Sequence, residues 1–444
     1  MVDWTGIEAG RGGDGIMRIL VVSYMHPTVT PGGAQQVAYE TFQAARERGH
    51  DAYFVAALES EQEAEYGKPG APIVPAPGLE REYFYFPQHY EFAHLSVGDW
   101  RSNKFLKELV ERINPDFIHF HHYHRLGVEA IRAARLGAPK AVIAMTFHEM
   151  LAICMADGQM IKRNSRHLCH AATPIDCHHC FTDLRPEFFE LRAWRLREGL
   201  DECDFFFFPT EFLSRLYMSW GLAAHKCFVV PNGQAQLAGN IDRARHSLDV
   251  NRFGYFGQFI DNKGIDVVLE ALQILARDQE FEARIEFVIN AGNRHYASAP
   301  YLAKVDGLIE EIGKEAGSQI RIREPGRYAR EELADRMEAV DWVIVPSIWW
   351  EVFGLVVSEA WMFGRPVIVS NIAGLGERVR NGVNGHTFPP RNASALAEII
   401  KSLVGNVTEW KRAHAAIRPD WNHLDMFDRL IEIVGGPAKV RSVG

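Results

Sequence analysis

Two glutamates with seven residues between them, Glu351 and Glu359, mark the stretch of this 444-residue chain best suited to chemistry. The surrounding sequence, PSIWWEVFGLVVSEAWMFGRPVIVS over residues 346–370, predicts a helix from about Phe353. At about 3.6 residues per turn, Glu359 then lies more than one turn inside the helix, and Glu351 sits in the loop ahead of it. The backbone N–H groups of Phe353, Gly354 and Leu355 would have no acceptor within the helix, which makes this end an anion site suited to a diphosphate. Glycine at 354 lets that anion come close to the chain. Taken alone, two glutamates on a helix edge more often form a solvated face.

A second constellation is Cys154, Cys169, Cys177 and Cys180, four of the six cysteines, within 27 residues. Its closing Cys-x2-Cys spacing suits two thiolates turning onto one metal, so a structural zinc or iron–sulfur centre is expected. Spacing does not separate these metals, unliganded thiols or disulfides remain open, and His148, His167, His170, His178 or His179 could replace a ligand. The expected role is a staple for an insertion at about 149–198 with little core of its own, placed where it could also shape an acceptor site. Cys203 and Cys227 read as ordinary buried thiols. The run His119, His121, His122 and His124 reads as structural or cleft-lining, because alternate strand residues point to opposite faces.

The elements that must position these groups alternate strand and helix. RILVVSY at 18–24 is apolar throughout, as a strand buried on both faces of a parallel sheet must be. A loop with Gly32 and Gly33 follows, then a helical stretch ending at Gly49 and a strand, HDAYFVAA. Further strands are predicted at 117–122, 141–147, 204–209 and 227–233, and the alternation resumes at 252–257, 285–290, IRIRE, 342–347 and 366–370. The fold class is therefore α/β, with two Rossmann-like, doubly wound domains: 17–235 carrying the insertion, and 236–412. Residues 1–16 read as a loose tail, and 413–444 as a terminal helix returning to the first domain.

Composition excludes several classes. Of the residues, 48 are basic and 57 acidic, a net charge of −9, which argues against nucleic acid as a partner. No apolar run reaches the roughly 20 residues of a membrane span, and the start lacks a secretory signal. A cytoplasmic protein is expected. The aromatic run YFYF at 83–86 reads either as an acceptor-lining or membrane-facing surface, with peripheral attachment to the inner membrane face, or as packed core.

The 346–370 stretch resembles the E-x7-E signature of retaining glycosyltransferases of the GT-B fold, family-4 group. PGGAQQVAYETFQAARERGHDAYFVAA, INPDFIHFHH, IAMTFHE, VVPNG, FGYFGQFIDNKGIDVVLEAL and VSNIAGLGERVRNGVNGHTFPPRNASALAEII are similar to the family's other motifs, in the same order over about 17–405. The resemblance implies two domains facing each other across a cleft that binds a nucleotide sugar. It implies that Glu359 accepts hydrogen bonds from the ribose hydroxyls and that Glu351 faces the transferred sugar. Lys263 would then stabilise the leaving diphosphate, Gly32 and Gly33 would admit phosphate and sugar to the first-domain loop, and His148 would contact the sugar near the reacting centre. Gln258 stands where the family usually has arginine, and Arg327 or Arg294 would have to replace that charge.

By the same resemblance, the sugar is transferred with retention, by a front-face reaction in which the leaving phosphate helps deprotonate the acceptor, and no metal is needed for transfer. The expected donor is a UDP- or GDP-linked hexose and the acceptor a glycan or lipid-linked molecule, in surface polysaccharide assembly. The alternatives are a nucleotide-sugar epimerase of similar fold and a non-catalytic metal-binding scaffold. A nicotinamide oxidoreductase is disfavoured, since no strand is followed by GxGxxG with an acidic residue about twenty positions on.

Overall fold

The computed structural model describes residues 15–87, 89–98, 100–237, 250–316, 319–418 and 420–435. Most of the expected tail, Pro419, and residues 238–249 and 436–444 lie outside them. The chain divides into two compact units, Met1–Ala235 with Trp421–Gly444, and Gln236–Asp420.

In the first unit the strands are β1 (Arg18–Tyr24), β2 (Asp51–Ala57), β3 (Ile73–Pro75), β4 (Glu82–Tyr85), β5 (Tyr90–Glu91), β6 (Ser96–Val97), β7 (Phe117–Phe120), β8 (Val142–Thr146), β9 (Phe205–Phe208) and β10 (Cys227–Val229). Eight of them form one sheet in the order β10-β9-β8-β7-β1-β2-β4-β3. It is parallel except for β3, which runs antiparallel to β4. The interior residues of β1 are all buried, which is why that strand could be read as an unbroken apolar run. The helix Gly33–Glu47 buries Val37, Thr41, Phe42 and Ala45, spaced to share one face. Against this helix packs the C-terminal helix His423–Val434, tied by His423 to Glu47 at 3.1 Å and by an Arg48–Asp428 ion pair.

Tyr83, Phe84, Tyr85 and Phe86 are at most 3% exposed, so the aromatic run is core and not a membrane-facing or acceptor-lining surface. Glu82, at the start of that strand, is buried with them and meets His26 Nε2 at 2.8 Å. Among the described residues no helix is long and apolar enough to cross a membrane.

The second unit is built on β11 (Arg252–Gln258), β12 (Ile285–Gly292), β13 (Ile320–Arg323), β14 (Trp342–Val345), β15 (Val367–Ser370) and β16 (Gly385–Phe388). Their order is β13-β12-β11-β14-β15-β16, and every neighbouring pair is parallel. The strand order reverses direction between β11 and β14 here, and between β1 and β7 in the first unit. At such points the loops leaving the strand ends part to opposite faces and open a crevice for ligands.

Candidate functional site

The loops that leave β11 and β14 carry Lys263 and Glu351. After β11, residues Asp261–Lys263 make one short turn, and Gly264 takes a left-handed φ of 71°. A β-carbon on Gly264 would lie 2.1 Å from the Pro346 carbonyl oxygen, so only glycine lets this turn press against the end of β14. Ile348 N–H donates to the Asn262 carbonyl at 3.0 Å and locks the two loops together. As a result Lys263 Nζ stands 2.6 Å from Glu351 Oε2. Ser347 Oγ at 2.9 Å and Trp349 Nε1 at 3.2 Å donate to the same oxygen. Burial by itself would raise the Glu351 carboxyl, but the Lys263 charge and these three donors hold it below its ordinary value. Glu351 is therefore a buried carboxylate, and among the described residues its side-chain donors all meet Oε2.

The helix expected from about Phe353 begins two residues later, as Leu355–Met362, with Gly354 as its left-handed cap at φ 77°. Among the described residues the N–H groups of Phe353, Gly354 and Leu355 meet no protein acceptor. Glu359 lies in the second turn of this helix, half-buried. Its charge reaches the Tyr328 phenol, which burial first and Glu359 second raise above the ordinary range. Gln258, at the end of β11, is exposed. Of the two arginines considered for the missing charge, Arg294 is engaged by Asp306 at 2.5 Å and Glu324 at 2.9 Å. Arg327 is exposed, and its stem would lie 3.3 Å from a β-carbon on Gly292, the residue registered against Gln258.

In the first unit Gly32 caps the helix Gly33–Glu47 in extended backbone, at φ −170°. A β-carbon on Gly32 would meet only the flexible end of the Gln35 side chain, its Oε1 at 2.4 Å. His148 follows β8, with its Nε2 3.0 Å from Nδ1 of His121, at the end of β7. Burial lowers the His148 imidazole to about 4, so it is neutral at physiological pH. The histidine run splits by alternation. His119 and His121 lie beside each other, 4.2 Å between ring centroids, and His121 stacks on His148, while His122 and His124 turn toward Tyr24.

Glu149 was not singled out from the sequence. Its carboxyl is hydrogen-bonded by the Leu151 N–H and the Tyr123 hydroxyl, and burial raises it from 4.5 to about 7. A proton held more tightly in the folded than in the unfolded chain favours folding below pH 4.5, and that contribution is lost as the pH rises to about 7. Glu149→Gln is therefore expected to raise stability at pH 8 by about 2 kcal/mol and to leave it nearly unchanged at about pH 4. Thermal melts of both proteins across this range check it.

Cys177 feels the charges of Cys154, Cys169 and Cys180, so the four thiols do face one region, and burial first and these neighbours next push Cys177 up to about 12. Yet Cys154, Cys169, Cys177 and Cys180 are free thiols, and among the described residues no three His, Cys, Asp or Glu side chains are placed to hold one metal ion. Cys154 and Cys169 turn their sulfurs to the carbonyls of Ala156 and Ala171.

The insertion has a core that its sequence did not suggest. Met150, Leu151, Ile153, Met160, Ile161 and Phe189 are buried. Arg192, itself 5% exposed, donates to the carbonyls of Ala93 at 2.6 Å and of Ala152 and Leu151 at 2.7 Å. Arg192→Met would strand these buried acceptors and is expected to cost about 3 kcal/mol in urea denaturation, more than Cys177→Ser with Cys180→Ser.

Comparison with known proteins agrees with this architecture. Residues 31–234 match the model of Glycosyltransferase Family 4, and residues 240–418 that of Glycosyl transferases group 1. The D-inositol 3-phosphate glycosyltransferase of Rhodococcus jostii is 36% identical over 165 residues, 36% of this chain and 35% of that protein. Its Rhodococcus opacus counterpart is 33% identical over 204 residues, 44% of each chain. The matches thus span less than half the length of these curated relatives. In structure, Anabaena HepE in complex with UDP-glucose superposes with a TM-score of 0.61 at 16% identity, covering 94% of this chain and 99% of that one. Sucrose-phosphate synthase from Thermosynechococcus elongatus gives 0.59 at 16%, covering 96% and 100%. These likenesses show the GT-B fold. With two α/β sheets of this form and both halves matched, the chain belongs to the GT-B glycosyltransferases, its first half to Family 4 and its second to group 1.

Proposed function

We propose that the chain transfers a hexose from a UDP- or GDP-linked donor to a glycan or lipid-linked acceptor, with retention of anomeric configuration, in surface polysaccharide assembly. The observation that carries this reading is the Lys263–Glu351 pair at the strand-order reversal, beside the three unpartnered N–H groups of Phe353, Gly354 and Leu355. A diphosphate on those N–H groups would draw on the helix end and on Lys263 together, and no metal is needed to neutralise it. Glu351, kept ionised by its donors, would receive sugar hydroxyls on Oε1. Arg327 would supply the charge that Gln258 lacks, Glu359 would take the ribose hydroxyls, and Gly32 and Gly33 would admit the donor to the first-unit loop. His148, neutral, would offer a hydrogen bond to the sugar without repelling positive charge that develops at the anomeric carbon. The front-face course leaves deprotonation of the acceptor to the leaving phosphate.

The test is a thermal-shift screen of UDP-, GDP- and ADP-sugars, followed by product analysis of the stabilising donor with and without acceptors that include phosphorylated polyols. Released nucleotide and a product of unchanged anomeric configuration support the reading. An isomerised donor without acceptor would establish the epimerase alternative instead.

A further inference from the structure

Arg378 ends the short helix Ala373–Arg378, and its side chain is 9% exposed. Its Nη1 donates to the carbonyl oxygens of Phe353 at 2.9 Å and Gly354 at 2.8 Å. Its Nη2 donates to Ser358 Oγ at 2.7 Å and to the Asp420 carboxylate. The guanidinium also stacks on the Phe353 ring, 3.8 Å from its centroid, and faces Trp361 at 5.3 Å. Every face of this cation is thus occupied by protein, and it acts on its surroundings through the groups it holds.

Those groups are informative. In a trans peptide unit the C=O and the following N–H point in opposite directions across the C–N bond. A donor that draws the Phe353 and Gly354 carbonyls to one side therefore turns the N–H groups of Gly354 and Leu355 to the other. The backbone can adopt this course because residue 354 is glycine, which takes the left-handed φ of 77° without strain. A planar guanidinium can fork between two carbonyls and still stack on a ring, which the compact ammonium of lysine cannot do.

We infer that Arg378 is a positioning residue for the anion-binding turn: by pinning the Phe353 and Gly354 carbonyls it aims the Gly354 and Leu355 N–H groups at the donor diphosphate before the donor arrives. Donors fixed in advance need no reorganisation when charge develops on the leaving group, which is where such groups do most for the rate. The inference rests on the diphosphate reading above.

The test is calorimetric binding of UDP, GDP, inorganic pyrophosphate, uridine and guanosine to the full chain and to Arg378→Gln and Arg378→Lys. For Arg378→Gln the diphosphate and pyrophosphate affinities are expected to fall about tenfold or more, with the matched nucleoside changed less than about threefold. Arg378→Lys should recover only part of the loss. Equal losses for nucleoside and diphosphate, or none for either, would overturn the inference. Should Arg378→Gln fail to fold, Asp420→Asn keeps the arginine and frees one side of it. The same selective loss, smaller in size, is then expected, and an unselective or absent one overturns the inference. A wild-type chain that binds pyrophosphate but no nucleotide would refute the nucleotide-sugar reading while the pyrophosphate arm still decides the clamp. A chain that binds neither refutes both.

Discussion

Replacing Lys263 with alanine is expected to lower kcat/KM for sugar transfer by about 10²- to 10³-fold, mostly in kcat, because in the proposed role its charge would matter most as the diphosphate leaves. In the resting protein Nζ is 2.6 Å from Glu351 Oε2, so the variant also strands a buried carboxylate. The two effects separate by experiment. Without Lys263, burial acts on Glu351 with less opposition, and the acid limb of the pH–rate profile should move upward. The double variant Lys263→Ala with Glu351→Gln removes the stranded charge and should recover stability while kcat stays low. Lys263→Arg should not restore wild-type rate, since a forked guanidinium cannot occupy the place of a point charge between Glu351 and the Trp349 ring, 5.3 Å from Nζ. Near-normal kcat in Lys263→Ala would show that this cation does not face the leaving group.

How much of this was legible beforehand depends on the range of the interaction. Strands buried on both faces, such as β1 and β14, write themselves as apolar runs, and the glycine loop and helix after β1 follow local rules. The short edge strand β3 and the hairpin β5–β6 have no such run, and β4 was visible only as aromatic residues whose surroundings were unknown. A helix start near residue 353 could be read from the sequence, but its place at Leu355 could not, because it turns on Gly354 adopting φ 77°. Lys263 and Glu351 are 88 positions apart, and nothing local joins them. Gly264 against Pro346 does, and that approach exists only in the folded sheet. Ser347, Trp349, Tyr328 and Arg378 escaped for the same reason. The cysteines show a different limit: spacing can permit a shared metal without setting the direction in which each sulfur points.

Glu359→Ala is expected to weaken donor binding by about 10²-fold or more, since a carboxylate accepting from both ribose hydroxyls makes two charge-assisted hydrogen bonds of roughly 1.5–3 kcal/mol each. The loss should fall on KM with little change in kcat, because ribose contacts are the same in ground and transition states. Alanine suits the helix Leu355–Met362, so the fold and the Lys263–Glu351 pair should be undisturbed. A 2′-deoxy donor makes the assignment specific. Wild type should bind it more weakly than the ribonucleotide donor, whereas Glu359→Ala should bind the two about equally, since the residue that told them apart is gone. Glu359→Gln, with one acceptor oxygen left, should fall between. If Glu359→Ala lost affinity for ribo- and deoxyribonucleotide donors by the same factor, the carboxylate would be acting elsewhere. Tyr328, whose phenol already senses the Glu359 charge, would be the next group to vary.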